Sequence, residues 1–212
     1  ERKVGKWVRK AGILVFWLAV WQIASLWIHN SIILVGPVSM FQALWEQALQ
    51  PDFWLSAALS FGKIAFGFIL AFFTGICLGA ASYSLPFLRE LLELAVLLLK
   101  AIPVASFVIL ALLWVGSDNL SVLISFFIVF PILYTNTIEG LEQTDRKLLE
   151  MAKVFRIPFH KKAWHIYRPA LWPFLLGGCK IALGLSWKSG IAAEVIGVPA
   201  HSIGEKLYMA KI

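Results

Sequence analysis

Apolar residues are not spread evenly along the chain. They gather in runs roughly 20 residues long, parted by short polar stretches. Five runs stand out: "AGILVFWLAVWQIASLWI" (11–28), "FWLSAALSFGKIAFGFILAFFTGICLGAAS" (53–82), "PFLRELLELAVLLLKAIPVASFVILALLWV" (86–115), "NLSVLISFFIVFPILYTNTIEGL" (119–141) and "PALWPFLLGGCKIALGLSWKSGIAAEVIG" (169–197). A helix of about 20 residues crosses a hydrocarbon layer, so the pattern predicts an all-α membrane protein, a polytopic helical bundle with five visible spans. Pro103 falls inside the third run and is expected to kink or break it, because proline lacks the N–H and crowds the preceding turn. Pro131 lies inside the fourth. Residues 29–52 read as a loop holding a short interfacial helix from Val38 to Gln50, with Phe41 and Trp45 suited to the headgroup layer. The end of the chain, "VPAHSIGEKLYMAKI", carries no further span.

Composition agrees with a bilayer environment. Hydrophobic residues make up 60% of the 212, charged residues only 15%, and the mean hydropathy is +0.81. Water-soluble domains carry about 25% charged residues. The net charge of +7 is confined to certain segments. With Arg89 counted in the turn at 84–90, thirteen Lys and Arg fall on one side and two on the other, the remaining four (Lys63, Lys100, Lys180, Lys188) lying inside spans. That asymmetry places the N-terminus and residues 142–168 in the cytoplasm and residue 212 outside. The basic balance thus reports topology and argues against a nucleic-acid partner. Cys77 and Cys179 sit in apolar runs without metal-ligand spacing and read as small apolar fillers. The first run is too long for a signal-peptide core and lacks a small-residue cleavage site. Glu1 rather than Met opens the sequence, so a fragment is expected.

Several residues inside the runs invite a role. Gly67, Ala71, Gly75 and Gly79 recur every four positions and predict a close helix–helix seam, within the subunit or at a dimer interface. Charges within spans are costly and mark candidate sites. Lys188, flanked by Ser186 and Ser189, is a candidate to meet an anionic solute; the competing reading pairs it with Glu194, six positions on and off its face. Lys100 adjoins the Pro103 break. Together Lys188, Ser186, Ser189, Lys100 and Glu194 form the candidate solute pathway. For Lys100, Lys63 and Lys180 a structural role, snorkelling or pairing with Glu194, Glu139 or Glu93, is the preferred reading. Trp114, Asp118 and Asn119 mark the outer ends of spans three and four as a gate, a docking surface or ordinary interface anchors. No HExxH motif joins His29, His160, His165 and His201 into a metal site, and Ser186 and Lys188, two apart on a helix, point in different directions for a nucleophile pair.

The stretch 142–168 differs from its surroundings. Asp145 is placed to cap a helix through "RKLLEMAKVF", with Leu148, Leu149, Ala152 and Phe155 on one face; Pro158 ends it, and a second short helix, "FHKKAWHI", runs to Pro169. Such a pair is either a docking element for a cytoplasmic partner or an amphipathic segment on anionic lipid.

Its motif adds a further pointer. Glu150-Met151-Ala152, then Arg156, then Ile166-Tyr-Arg-Pro169 resembles the coupling loop of ABC-importer permeases, which reads E-A-A, three residues, G, nine residues, I-x-L-P. Met151 stands for an alanine, Arg156 for the glycine and Arg168 for the leucine. The segments "ILVGPVSMFQAL" (33–44), "KAIPVASFVILALLWVG" (100–116), "FPILYTNTIEGL" (130–141) and "CKIALGLSWKSGIAAEVIG" (179–197) are similar to those of the nitrate/sulfonate/taurine/bicarbonate permease group. The resemblance covers nearly the whole chain. It implies a single transmembrane permease domain over 1–212 in a prokaryotic cytoplasmic membrane, with 142–168 as its coupling loop and a sixth span beyond residue 212. It also implies a second permease subunit, a like copy of this chain, two ATP-binding cassette ATPase subunits seated on the loop, and an extracytoplasmic binding protein that delivers a small, anionic solute. No GxxxxGK[ST] loop occurs, so the chain itself is expected to be non-catalytic and to hold no cofactor, with ATP and Mg on the partner ATPases. Two other classes compete: an ion-coupled secondary transporter or channel using the intramembrane Lys and Glu, and an intramembrane enzyme.

Overall fold

In the computed structural model residues 2–28 and 34–210 are described, and among them every regular element is a helix. His29, Lys211 and the side chains of Arg2, Lys3 and Lys6, all used in the charge and histidine reading, lie outside the described residues. The chain divides into two compact units, residues 1–54 and 55–212.

The first unit holds α1 (Arg2–Ile28) and α2 (Pro37–Ala48). Within α1, the 21 residues Val8–Ile28 are long and apolar enough to cross a membrane. α2 is the short helix expected between the first two runs. Its N-cap, Gly36, has no side chain to offer, so Gln22 of α1 does the work: its Oε1 accepts from Val38 N at 3.3 Å. A Cβ on Gly36 would lie 2.8 Å from that oxygen, so the glycine lets the two helices share the cap. Phe41 and Trp45 are exposed on α2.

α3 (Pro51–Ser84) carries the chain into the second unit. The buried stripe on α3 is longer than the glycine motif: Ser56, Ser60, Ile64, Gly67, Ala71, Gly75, Gly79 and Ser82, spaced three or four apart. It packs on α6 (Leu120–Glu142): a Cβ at Gly67 would meet the Val122 carbonyl, and one at Gly79 would meet Thr137 Cβ at 2.8 Å. The seam is therefore inside the chain. Between these helices, α4 (Pro86–Ala101) and α5 (Val104–Val115) meet at Ile102–Pro103 with a bend of 109°. Ile102 is extended (φ −74°, ψ 126°), as the residue before a proline prefers, and Pro103 caps α5. Pro131, by contrast, sits within an unbroken α6.

After α6 come α7 (Arg146–Val154), α8 (Phe159–Lys162) and α9 (Arg168–Gly197). The second short helix does not stop at Pro169, contrary to expectation. A π turn, Ala163–Tyr167, joins α8 to α9, and Arg168 N donates to Ala163 O five residues back. The wider turn makes room for the Pro169 ring, which would otherwise strike the carbonyl four residues before it. The result is one 39-residue helix, Phe159–Gly197. The polar end forms α10 (Ile203–Met209), turned back onto α9. Among the described residues four helices are long and apolar enough to cross, and the α4–α5 pair makes five if counted as one broken span. The core joins α3, α4, α6 and α9 through Ala71, Val96, Val129, Leu133, Leu175 and Ala182, with a second cluster around Val108, Ala111, Ile124 and Ala193.

Candidate functional site

The segment after α6 is built by local rules. Asp145 Oδ1 accepts from Lys147 N at 2.8 Å and caps α7. At the other end, Ile157 N donates to Ala152 O at 2.9 Å and Arg156 N to Lys153 O at 3.1 Å. This double closure is a Schellman turn, and it needs a left-handed residue where Arg156 stands, at φ 51°. The arginine thus adopts the backbone that a glycine reaches without strain, and Pro158 follows directly after the turn.

The apolar stripe of α7 divides in two. Ala152 is fully buried and Leu149 half-buried, whereas Leu148 and Met151 stand 43% and 42% exposed, and Val154 and Phe155 78% and 73%. Glu150 is exposed as well. Leu148, Met151, Phe155, Arg156, Lys161 and His165 line an open groove of about 530 Å³. Ile166 is buried in the π turn, Pro169 is exposed, and the Arg168 guanidinium lies 4.0 Å from the centre of the Trp164 ring. A short capped helix thus presents bare apolar side chains ringed by Glu150, Lys153 and Arg156, an arrangement suited to a cleft of another protein.

Residues 64–208 match the model of the family described as "Binding-protein-dependent transport system inner membrane component". The chain belongs to that family. It is a permease of the ABC-transporter class, a multi-pass component of the cytoplasmic membrane. Similar proteins include SsuC of Escherichia coli, named as an aliphatic sulfonates transport permease (31% identical over 198 residues, 92% of this chain and 73% of that one). The nitrate import permease protein NrtB of Synechococcus elongatus is 27% identical over 195 residues, 86% of this chain and 69% of its own. The bicarbonate transport system permease protein CmpB of the same species is 32% identical over 200 residues, covering 88% and 70%.

Within the permease, the candidate pathway residues fall on different faces. Ser186 is buried and donates to Leu183 O of its own helix at 3.1 Å. Lys188 is exposed, with Ser189 half-buried beside it. Glu194 is fully buried, and it does not pair with a lysine. Its Oε2 accepts from Ser60 Oγ of α3 at 2.6 Å and from Gly204 N of α10 at 3.4 Å, while Oε1 has no protein partner. Ser60 Oγ in turn accepts from Ile203 N at 2.9 Å, so one buried carboxylate joins α3, α9 and α10. Lys63 pairs with Asp118 at 3.8 Å rather than with Glu194, Glu139 or Glu93. Lys100 Nζ donates to Thr135 Oγ1 of α6 at 2.8 Å, also not to a carboxylate. Lys63 and Lys100 are thus tied to side chains other than the carboxylates named for them, because spacing along a chain gives no partner across helices.

Lys100 belongs to a groove of about 330 Å³ between α4 and α6, where Arg89, Glu93, Tyr134, Glu139 and Glu142 also stand. Arg89 Nη1 donates to Glu142 Oε1 at 2.6 Å and closes one end. Sequence reasoning passed over Tyr134, Thr135, Ser60 and Gly204. Ser60 had a legible signal, since it lies seven residues, about two helical turns, before Gly67 on the same face; the other three had none.

Proposed function

We propose that the chain is the transmembrane subunit of an ATP-driven importer and that α7 is the element its ATPase subunits grip. One observation carries this reading: a capped helix with exposed Leu148, Met151, Val154 and Phe155 beside an open groove, in a chain of this family. Glu150, Met151, Ala152, Arg156, Ile166 and Pro169 make up the coupling segment: Glu150, Met151 and Arg156 touch the ATPase, and Ala152 and Ile166 root the segment in the permease. The basic residues around it place this end in the cytoplasm together with the N-terminus. ATP and Mg reside on the ATPases, whose closure pushes α7. Two copies of the chain enclose the pathway, an external binding protein loads it, and the solute is a small anion of the kind named for the relatives (sulfonate, nitrate, bicarbonate). In this reading Lys188, Ser189 and Lys100, none of them buried, meet the solute, and Ser186 and Glu194 shape the pathway from the buried side. The whole of 1–212 acts as one permease domain.

The test is Glu150→Ala in the co-expressed complex. The side chain is exposed, so the fold is expected to survive, while substrate-stimulated ATP hydrolysis falls several-fold. Normal uptake and normal ATPase stimulation, or failure of any ATPase subunit to co-purify with the wild-type chain, sinks the reading. Ala152 is a poor probe because it is fully buried, and a charge there would disturb folding first.

A further inference from the structure

The longest helix exceeds the membrane it crosses. Phe159–Gly197 runs for 39 residues, about 58 Å, whereas the hydrocarbon layer is about 30 Å thick. Its first ten residues hold Lys161, Lys162 and Arg168, and no acidic residue follows before Glu194. Those cations keep the start of the helix in the headgroup layer and beyond it. Trp164 and Trp172, 60% and 55% exposed, are side chains of the kind that anchor at that level.

The ends of three helices meet there. Tyr83 near the end of α3, Leu141 near the end of α6 and Tyr167 just before α9 line an open groove of about 280 Å³. Leu171 and Leu175 follow Tyr167 at one-turn intervals and carry the groove deeper into the span as an apolar floor. Arg168 stands at its rim, on the Trp164 ring. No carboxylate lies within 4.0 Å of Arg168 among the described residues; Glu142, next to Leu141, is held by Arg89 at 2.6 Å. None of the five guanidinium N–H donors has a hydrogen-bond partner among those residues either. Tyr83 and Tyr167 meet edge to face with ring centres 6.3 Å apart, and both hydroxyls are likewise without a protein partner.

The groove thus joins a cationic, hydrogen-bonding rim to an apolar floor. A free anion gains nothing from the floor, and a neutral apolar molecule gains nothing from the rim. An amphiphile with an anionic head and a hydrocarbon tail uses both. Small-molecule sites start at about 300 Å³, so this groove takes only the upper part of one acyl chain and leaves the rest in the bilayer.

We propose that the groove binds one anionic phospholipid of the surrounding membrane, its phosphate on Arg168 beside the Tyr83 and Tyr167 hydroxyls and one acyl chain along Leu171 and Leu175. The site goes beyond the transport reading above and needs only a chain set in a membrane. The test uses the intact permease in mild detergent, with whatever subunits co-purify. The probes are dioleoyl phosphatidylglycerol, phosphatidylcholine with the same acyl chains, and inorganic phosphate. Native mass spectrometry counts the lipid retained, and thermal unfolding reads its effect. The expected result is one phosphatidylglycerol per copy of the chain, held at least ~10-fold more tightly than phosphatidylcholine, the worth of one charge-assisted hydrogen bond, and no stabilisation by phosphate. Arg168→Gln, at an exposed position, brings phosphatidylglycerol down to the level of phosphatidylcholine. Ala80 is exposed on the groove wall, so Ala80→Phe fills the groove without disturbing the core and weakens both lipids. Equal retention of the two lipids, an unchanged preference in Arg168→Gln, or retention untouched by Ala80→Phe overturns the proposal. Stabilisation by phosphate equal to that by phosphatidylglycerol also overturns it and leaves a plain anion site. Loss of the lipid whenever an ATPase subunit is bound overturns it in favour of a protein-docking face.

Discussion

Two glycines on one helix make opposite predictions. Gly67 and Gly62 are five residues apart on α3. A methyl group at Gly67 would drive into the Val122 carbonyl oxygen and lie 3.0 Å from Ser125 Cβ. Ordinary contact begins at 3.4 Å, so α3 and α6 must part by roughly 1 Å, and a backbone carbonyl cannot turn aside as a flexible side chain does. The same displacement loosens Gly75 against Leu133 and Gly79 against Thr137, because all three lie on one seam. Overpacking of this kind costs about 1–3 kcal/mol, and alanine's better helix propensity returns up to about 1 kcal/mol. The net loss for Gly67→Ala is then about 1–2 kcal/mol. For a chain of this size that lowers the melting temperature by roughly 2–8 °C. At Gly62 nothing lies within 4 Å, so Gly62→Ala keeps or slightly raises stability. The assay is thermal unfolding of the detergent-solubilised protein at one fixed scan rate, since unfolding of such proteins is commonly irreversible. A Gly67→Ala protein that melts at or above the Gly62→Ala protein refutes the seam.

Arg156→Gly relieves a left-handed arginine worth about 1–2 kcal/mol, against a glycine entropy cost of about 0.5–1 kcal/mol. Hydrogen exchange at Ile157 N should slow in Arg156→Gly and not in Arg156→Ala; equal protection in the two removes the strain argument. Ser60→Ala takes a donor from buried Glu194 and an acceptor from Ile203 N, at a cost of about 2–3 kcal/mol. Limited proteolysis between 198 and 210 should then speed up as α10 loosens, and cleavage at the wild-type rate would show that α10 is held by other means.

How much of this was legible depends on the range of the force involved. Spans, caps and the Asp145 helix follow from periodicity and short-range hydrogen bonds, and the structure has them within a few residues of their expected ends. Prolines were less readable because their effect is set by what surrounds them. Pro103 gives a 109° break after an extended Ile102, Pro131 lies in an unbroken helix, and Pro169 is absorbed by a π turn. Each lacks the same N–H, and nothing in the ring itself separates the three outcomes. Arg156 stands where the resembling loop has glycine, which marks the position but not its backbone. That conformation, a left-handed arginine within a Schellman closure, emerges only with the structure.

Charged residues were the least legible, and the reason bears on function. Within a helix, sequence spacing says which side chains share a face. It does not say what faces them. Glu194 finds Ser60, 134 positions away, Lys100 finds Thr135 across the groove, and Lys63 finds Asp118. Once those partners are assigned, Lys180 and Lys188 stand together on the exposed face of α9, interleaved with Gly177 and Gly184, around which there is open space. Glycine on that face gains no packing within this chain, and lysine there gains nothing from hydrocarbon. The face belongs against water or another protein chain, the same demand that Glu93, Lys100 and Glu139 make on the α4–α6 groove. Two charged faces of this kind are what the proposed solute pathway draws on. A uniformly apolar bundle of the same length would offer a polar solute no foothold.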